Sequence, residues 1–153
     1  MLSNSITGFV DTIIANVDGF TANNCKGFDD ESAIDYILRN DLSPNPQACC
    51  IVSYGGIGRV EQMSEFGGRL IAWILVLSAL YPLTGDETDE KAQRANAYAM
   101  IDDIVSMTIN HSTLGGAVMD IDILDAEPLM EYVRNGANTF LLLSMRFKVL
   151  ENL

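Results

Sequence analysis

From Arg69 to Tyr81 the chain reads RLIAWILVLSALY, an almost unbroken apolar run with Ser78 its only hydroxyl before Tyr81. It is too short to span a bilayer as a helix, which takes ~20 apolar residues. Gly67–Gly68 in front and Pro82 with Thr84–Gly85 behind supply turn chemistry at both ends. The punctuation predicts a strand, with a buried helix as the competing reading of so short a run. As a strand it points Leu70, Ala72, Ile74 and Val76 one way and Ile71, Trp73, Leu75 and Leu77 the other. Both faces are apolar, so this strand is expected at the centre of a covered sheet or with one face against another subunit.

The pattern around it predicts the remaining elements. A first helix, capped by Ser5, carries Ile6, Val10, Ile13, Ile14 and Val17 on one stripe and ends at Gly19, with loop over Thr21–Gly27. A second opens on Asp29–Asp30–Glu31, where the macrodipole favours acids, and presents Ala33, Ile34, Ile37 and Leu38. Asn40–Asp41, Pro44 and Pro46 break it. Ala48–Tyr54 is a strand by composition. The Gly-rich stretch Gly55–Gly68 joins it to the central strand as a long hairpin, with a mobile tip from Ile57 to Glu65 that has no partner within one subunit.

Thr84-Gly-Asp-Glu87 matches a capping box, and Ala92, Ala95, Ala99, Ile101, Ile104, Val105 and Thr108 sketch an apolar stripe to about Asn110. After a turn at Gly115–Gly116, Ala117–Leu124 alternates Met119, Ile121 and Ile123 with Asp120 and Asp122, a strand with one wet face. Pro128 interrupts and Asn135–Gly136 signals a turn. Thr139–Val149 then sets Leu141, Leu143, Met145, Phe147 and Val149 on one face against Ser144, Arg146 and Lys148. The expected fold is a single α+β domain over residues 1–153. It has a sheet of about four strands, mostly antiparallel, a long helix packed on one face and two N-terminal helices.

Charge narrows the partners. Against 9 bases stand 21 acids, a net −12, with eleven of the acids between Asp86 and Glu131. Such a surface repels phosphate, which argues against nucleic-acid binding, and it is not drawn to anionic lipid. The three cysteines make no disulfide framework; Cys49 and Cys50 are neighbours that point to opposite strand faces and read as small buried apolar residues. No basic stretch precedes an apolar segment at the start, so the chain is expected to work in a reducing cytoplasm or in a particle assembled there.

Catalytic chemistry is sparse. The one histidine, His111, sits in a helix-exit sequence, NHSTLGG. No serine lies in a nucleophile elbow, and Gly56-Ile-Gly58 lacks the third glycine of a dinucleotide fingerprint, Glu61 standing in its place. GGIGR has no Lys-Ser/Thr of a phosphate-binding loop. The acidic group Asp120, Asp122, Asp125 and Glu127 is the one enzyme-like constellation, and it lacks the basic or His residues that a hydrolytic metal site gathers for its substrate.

With these pieces in order, the region from Ala48 to Glu151 resembles a tailed-phage tail terminator, or tail-completion protein. A strand and long loop lead to the Trp-bearing strand RLIAWILVLSALY. A helix containing Ile101-Asp102-Asp103-Ile104 follows, then the HSTLGGAV turn, and an Asn-Gly turn enters a strand ending MRFKVLE. The resemblance implies a virion assembly protein of the tail and neck, assembled in the host cytoplasm, with no enzymatic activity and no cofactor. Such proteins form a homo-oligomeric ring, commonly six-fold, on the last ring of major tail tube subunits. They end tube polymerisation and face the head–tail connector, and DNA only passes through the lumen; no membrane is involved. Candidate tube or subunit contacts are Ile57, Arg59, Glu61, Met63, Phe66, Trp73 and Arg146. The rival readings are a metal-dependent hydrolase or nuclease using the acidic strand, and a small host binding module.

Overall fold

The computed structural model describes residues 2–28, 30, 32–62, 69–83, 87–125, 127–135 and 138–152. Three helices, α1 (Leu2–Asn16), α2 (Ser32–Leu42) and α3 (Glu87–Asn110), pack on a sheet. Its strands are β1 (Cys25–Gly27), β2 (Cys49–Gln62), β3 (Arg69–Leu83), β4 (Asp120–Ile123), β5 (Leu129–Asn135) and β6 (Asn138–Asn152). The fold is α+β, with six strands where about four were expected. The two additions are β1, inside the stretch read as loop, and β5, between Pro128 and the Asn-Gly turn. Among the described residues no helix is long and apolar enough to cross a membrane.

β3 is a strand and lies mid-sheet, in the order β1-β2-β3-β6-β4, with β5 continuing the β4 side of β6. Among the described strands only β1 and β2 run parallel. The alternation of β6 holds without exception: Leu141, Leu143, Met145, Phe147 and Val149 are all buried in the core. Register brings them beside Leu75, Leu77 and Ala79 of β3, and Cys50 and Val52 of β2 lie on the same face. Fully burying one such side chain stabilises by ~1.5–3 kcal/mol.

α1 and α3 cover that face. Phe9 of α1 meets Phe147 edge-on at 5.1 Å between ring centroids. Gly8 is where the helix touches the turn at Leu114–Gly116, because a Cβ there would collide with that of Ala117. The helix begins at Leu2, so Ser5 is not its cap: it is buried inside the first turns and donates to Glu151 Oε1 at 2.6 Å. In α3 the buried residues are Ala97, Ile101, Ile104, Met107 and Thr108, whereas Ala92, Ala95 and Ala99 of the expected stripe are exposed. Thr84, Gly85 and Asp86 of the capping box lie outside the described residues.

α2 crosses the opposite face. Lys26 Nζ donates to Ser32 Oγ at its start, and Asn138 Nδ2 donates to the carbonyls of Asp41 and Ser43 at its end. Ala33 is buried, but Ile34 and Leu38, expected on the inner stripe, point to solvent with Leu42. The inward position belongs instead to Asn40, whose amide both donates to Gln47 O and accepts from Gln47 N. β1 forms because Asn24 ties the segment before it to both sides: Nδ2 donates to Gly19 O and Ala48 O, and the Asn24 backbone carbonyl accepts from Cys50 N.

Candidate assembly surface

The sheet has two unfinished edges. On one side β1 pairs only with Cys50–Val52, so β2 from Ser53 to Gln62 has no neighbour there among the described residues. The hairpin is therefore mostly ladder: Ile57, Arg59 and Glu61, expected in a mobile tip, lie in β2 with their backbone opposite Trp73, Ala72 and Leu70. Met63 and Phe66 fall outside the described residues.

On the other side β4 and β5 follow one another along β6, and their far edge has no strand neighbour among the described residues. Large apolar side chains crowd this flank: Leu129 is 75 % exposed, and Leu124, Met130 and Tyr132 are also out in solvent. Tyr132 is held loosely against α3. Its hydroxyl donates to Glu90 Oε1 at 3.2 Å, and the Arg94 guanidinium sits 5.5 Å over its ring. The Arg94 side chain, bonded to Glu90 at 2.7 Å, holds that carboxyl below the usual range.

Arg146 sits where β4 and β5 part. Asp125 bridges the gap: it accepts the backbone N–H of Arg146 at 2.8 Å and is gripped by the guanidinium through Nε and Nη2. These bonds, the side-chain ones first, hold the Asp125 carboxyl below its ordinary value. Beside the pair opens a cavity of about 610 Å³ lined by Val76, Ser144, Glu127, Pro128 and Leu129. Sequence reading grouped Asp125 with the acids and missed it as the partner of Arg146. It also did not mark Leu129, Met130 and Tyr132, which are exposed along this edge of the sheet.

Trp73 is half-buried on the core side of β3. Its indole N–H donates to Glu151 Oε2, and Tyr54 stands edge-on to its ring at 5.8 Å. The acidic strand is arranged otherwise than a metal site. Asp120 and Asp122 share a face but stand opposite Leu150 and Lys148, and Asp125 is engaged by Arg146. Among the described residues no three His, Cys, Asp or Glu side chains converge to hold a metal. His111 is exposed at the exit of α3, its N–H donating to Met107 O and its carbonyl accepting from Leu114 N. Gly115 and Gly116, with φ of 71° and 91°, make the expected turn after it. No protein-family model and no curated protein sequence matches the chain.

Proposed function

We propose that this protein caps a phage tail tube: it forms a closed ring on the last tube ring, stops polymerisation, and gives the connector a surface to join. The observation that carries the reading is the exposed apolar flank of β4–β5, with Leu124, Leu129, Met130 and Tyr132, on a subunit whose sheet is open at both edges. A row of unpaired strand groups flanked by apolar side chains is a surface made to be covered.

Strand direction suits a ring. β2, β3, β6 and the β4–β5 row are four successive antiparallel rows, so the two edges run in opposite senses. Copies set side by side by rotation therefore meet antiparallel, and closure satisfies lateral contacts while leaving two unlike faces, one for the tube and one for the head. A specific lateral contact needs roughly 800 Å² per partner. Net charge −12 keeps the wall of a DNA passage from gripping phosphate.

The test is genetic and then biochemical. Deleting the gene from its phage should give overlong, headless tails, and adding purified protein to growing tubes should arrest them. Normal-length tails joined to heads in the deletion strain would sink the reading. A chelator-sensitive hydrolysis of nucleic acid or ester substrates would favour the metal-hydrolase alternative.

A further inference from the structure

We propose that Cys25 and Cys50 are a disulfide-forming pair, reduced as the chain folds and closed by a peroxide. The two residues face each other directly across the one parallel seam of the sheet, and their sulfurs lie 3.6 Å apart, in contact. Both are buried and free. Neighbouring strands are ~4.8 Å apart, which falls within the Cα separation that a disulfide spans. Bonding needs the sulfurs to close to ~2.05 Å, a movement that side-chain rotation supplies without moving the strands. The third cysteine does not compete: Cys49 points to the α2 face, while Cys25 and Cys50 lie in the core between sheet and α1.

The chemistry balances with one equivalent of hydrogen peroxide. One thiol gives up its proton and, as thiolate, attacks the peroxide and becomes a sulfenic acid; the displaced hydroxide takes up that proton and leaves as water. The second thiolate then attacks that sulfur, the S–S bond forms, and hydroxide leaves to take up the proton as a second water. Two thiols are oxidised and the peroxide oxygens are reduced. Burial makes the first step slow, since small oxidants must reach the sulfurs through local opening of β1. In a reducing cytoplasm the pair stays open; outside it, the bond closes.

The consequence falls on the weakest seam. β1 is a three-residue strand, and the bond would close the segment holding α2 into a covalent loop between Cys25 and Cys50. The assembled particle would thus be locked after release while the folding subunit remains adjustable.

The experiment uses the full chain. Reduced protein is exposed to hydrogen peroxide, then quenched, unfolded and titrated for thiols alongside intact mass and peptide mapping. The expected result is a fall from three titratable thiols to one, loss of the mass of two hydrogens, a monomer on non-reducing gels, and a Cys25–Cys50 linked peptide. The oxidised form should have a higher denaturant midpoint than the reduced one. Cys49→Ser should still close the bond, whereas Cys25→Ser and Cys25→Ala should keep both remaining thiols. Three thiols persisting after exposure overturns the proposal, as does a link through Cys49, an intermolecular dimer, or addition of oxygen without loss of hydrogen.

Discussion

Trp73 and Glu151 are joined by a 2.7 Å hydrogen bond from the indole N–H to a carboxylate that is 5 % exposed and also receives the Ser5 hydroxyl. Three elements, α1, β3 and β6, meet on one acid. Trp73→Phe keeps an aromatic ring, smaller than the indole, and removes a donor from the buried carboxylate, and should cost ~1–3 kcal/mol. Trp73→Ala removes the ring as well and should cost about 3–5 kcal/mol. Urea melts of the isolated subunit read both. If neither variant shifts the midpoint while assembly fails, Trp73 serves an interface and not the subunit's own packing.

Cys49 gives a pH dependence with a definite sign. Burial first, and the charge of Asp41 next, push its thiol up from 9.0 to about 12. The folded state thus holds its proton where the unfolded state has lost it. The contribution is complete below pH 9 and disappears as pH rises from 9 towards 12. Between pH 9 and 10.5 the wild type should lose about 2 kcal/mol that Cys49→Ala does not lose. Equal losses in paired denaturant melts would remove Cys49 as the cause.

Asp125 works in the other direction. Its carboxyl is held low by the Arg146 side chain and then by the Arg146 N–H, so the bridge is complete above pH 3.8 and opens as pH falls through the lower folded value. Asp125→Ala should leave the melting temperature nearly unchanged, because exposed ion pairs contribute little. It should nonetheless speed hydrogen exchange at the Arg146 amide near neutrality, and that difference should vanish in acid. Unchanged exchange at neutral pH would mean that the β4–β5 junction closes without the carboxylate.

Leu129→Lys tests the assembly surface with little risk to the fold. The side chain is three-quarters exposed, so stability should stay within ~0.5 kcal/mol of wild type. A charge on an open edge opposes strand pairing, and arrest of growing tubes should drop at least tenfold. Full arrest by the variant would place the tube and subunit contacts elsewhere.

What could be read from residues alone follows the strength of the local signal. β6 was legible because its alternation is undisturbed from Leu141 to Val149 and one face is wholly core. β3 was legible from its punctuation. β5 was not, because its phase is broken: from Ile123 opposite Phe147 to Leu129 opposite Ser144 the chain spends six residues against three on β6. An odd excess reverses which residues share a face, so Ile121 and Met130 lie on the same side of the sheet although one is odd-numbered and the other even; Ile121 is buried there and Met130, at the edge, is exposed. β1 is too short to show a period, and what fixes it is a side-chain carboxamide, Asn24. In α2 apolar periodicity named Ile34 and Leu38 as inward, whereas Asn40 took that place through two hydrogen bonds that no hydropathy pattern records. Of the proposed contact residues, Trp73 and Arg146 emerged with identifiable partners, Glu151 and Asp125.

The pairing of β2 with β3 slips by one residue twice, between Tyr54 and Gly56 and again between Ile57 and Arg59. Each slip tightens the local twist, so the free length of β2 is a coiled rail and not a flat one. A flat rail accepts any extended chain and, copied end on end, leads to fibres. A coiled one discriminates by curvature: a stray unfolded segment must bend to follow it and loses hydrogen bonds at every step, whereas a partner already curved loses none. On the proposed reading, those two extra residues would screen candidate partners for the edge. They let an exposed edge wait for its proper neighbour without becoming a seed for the wrong one.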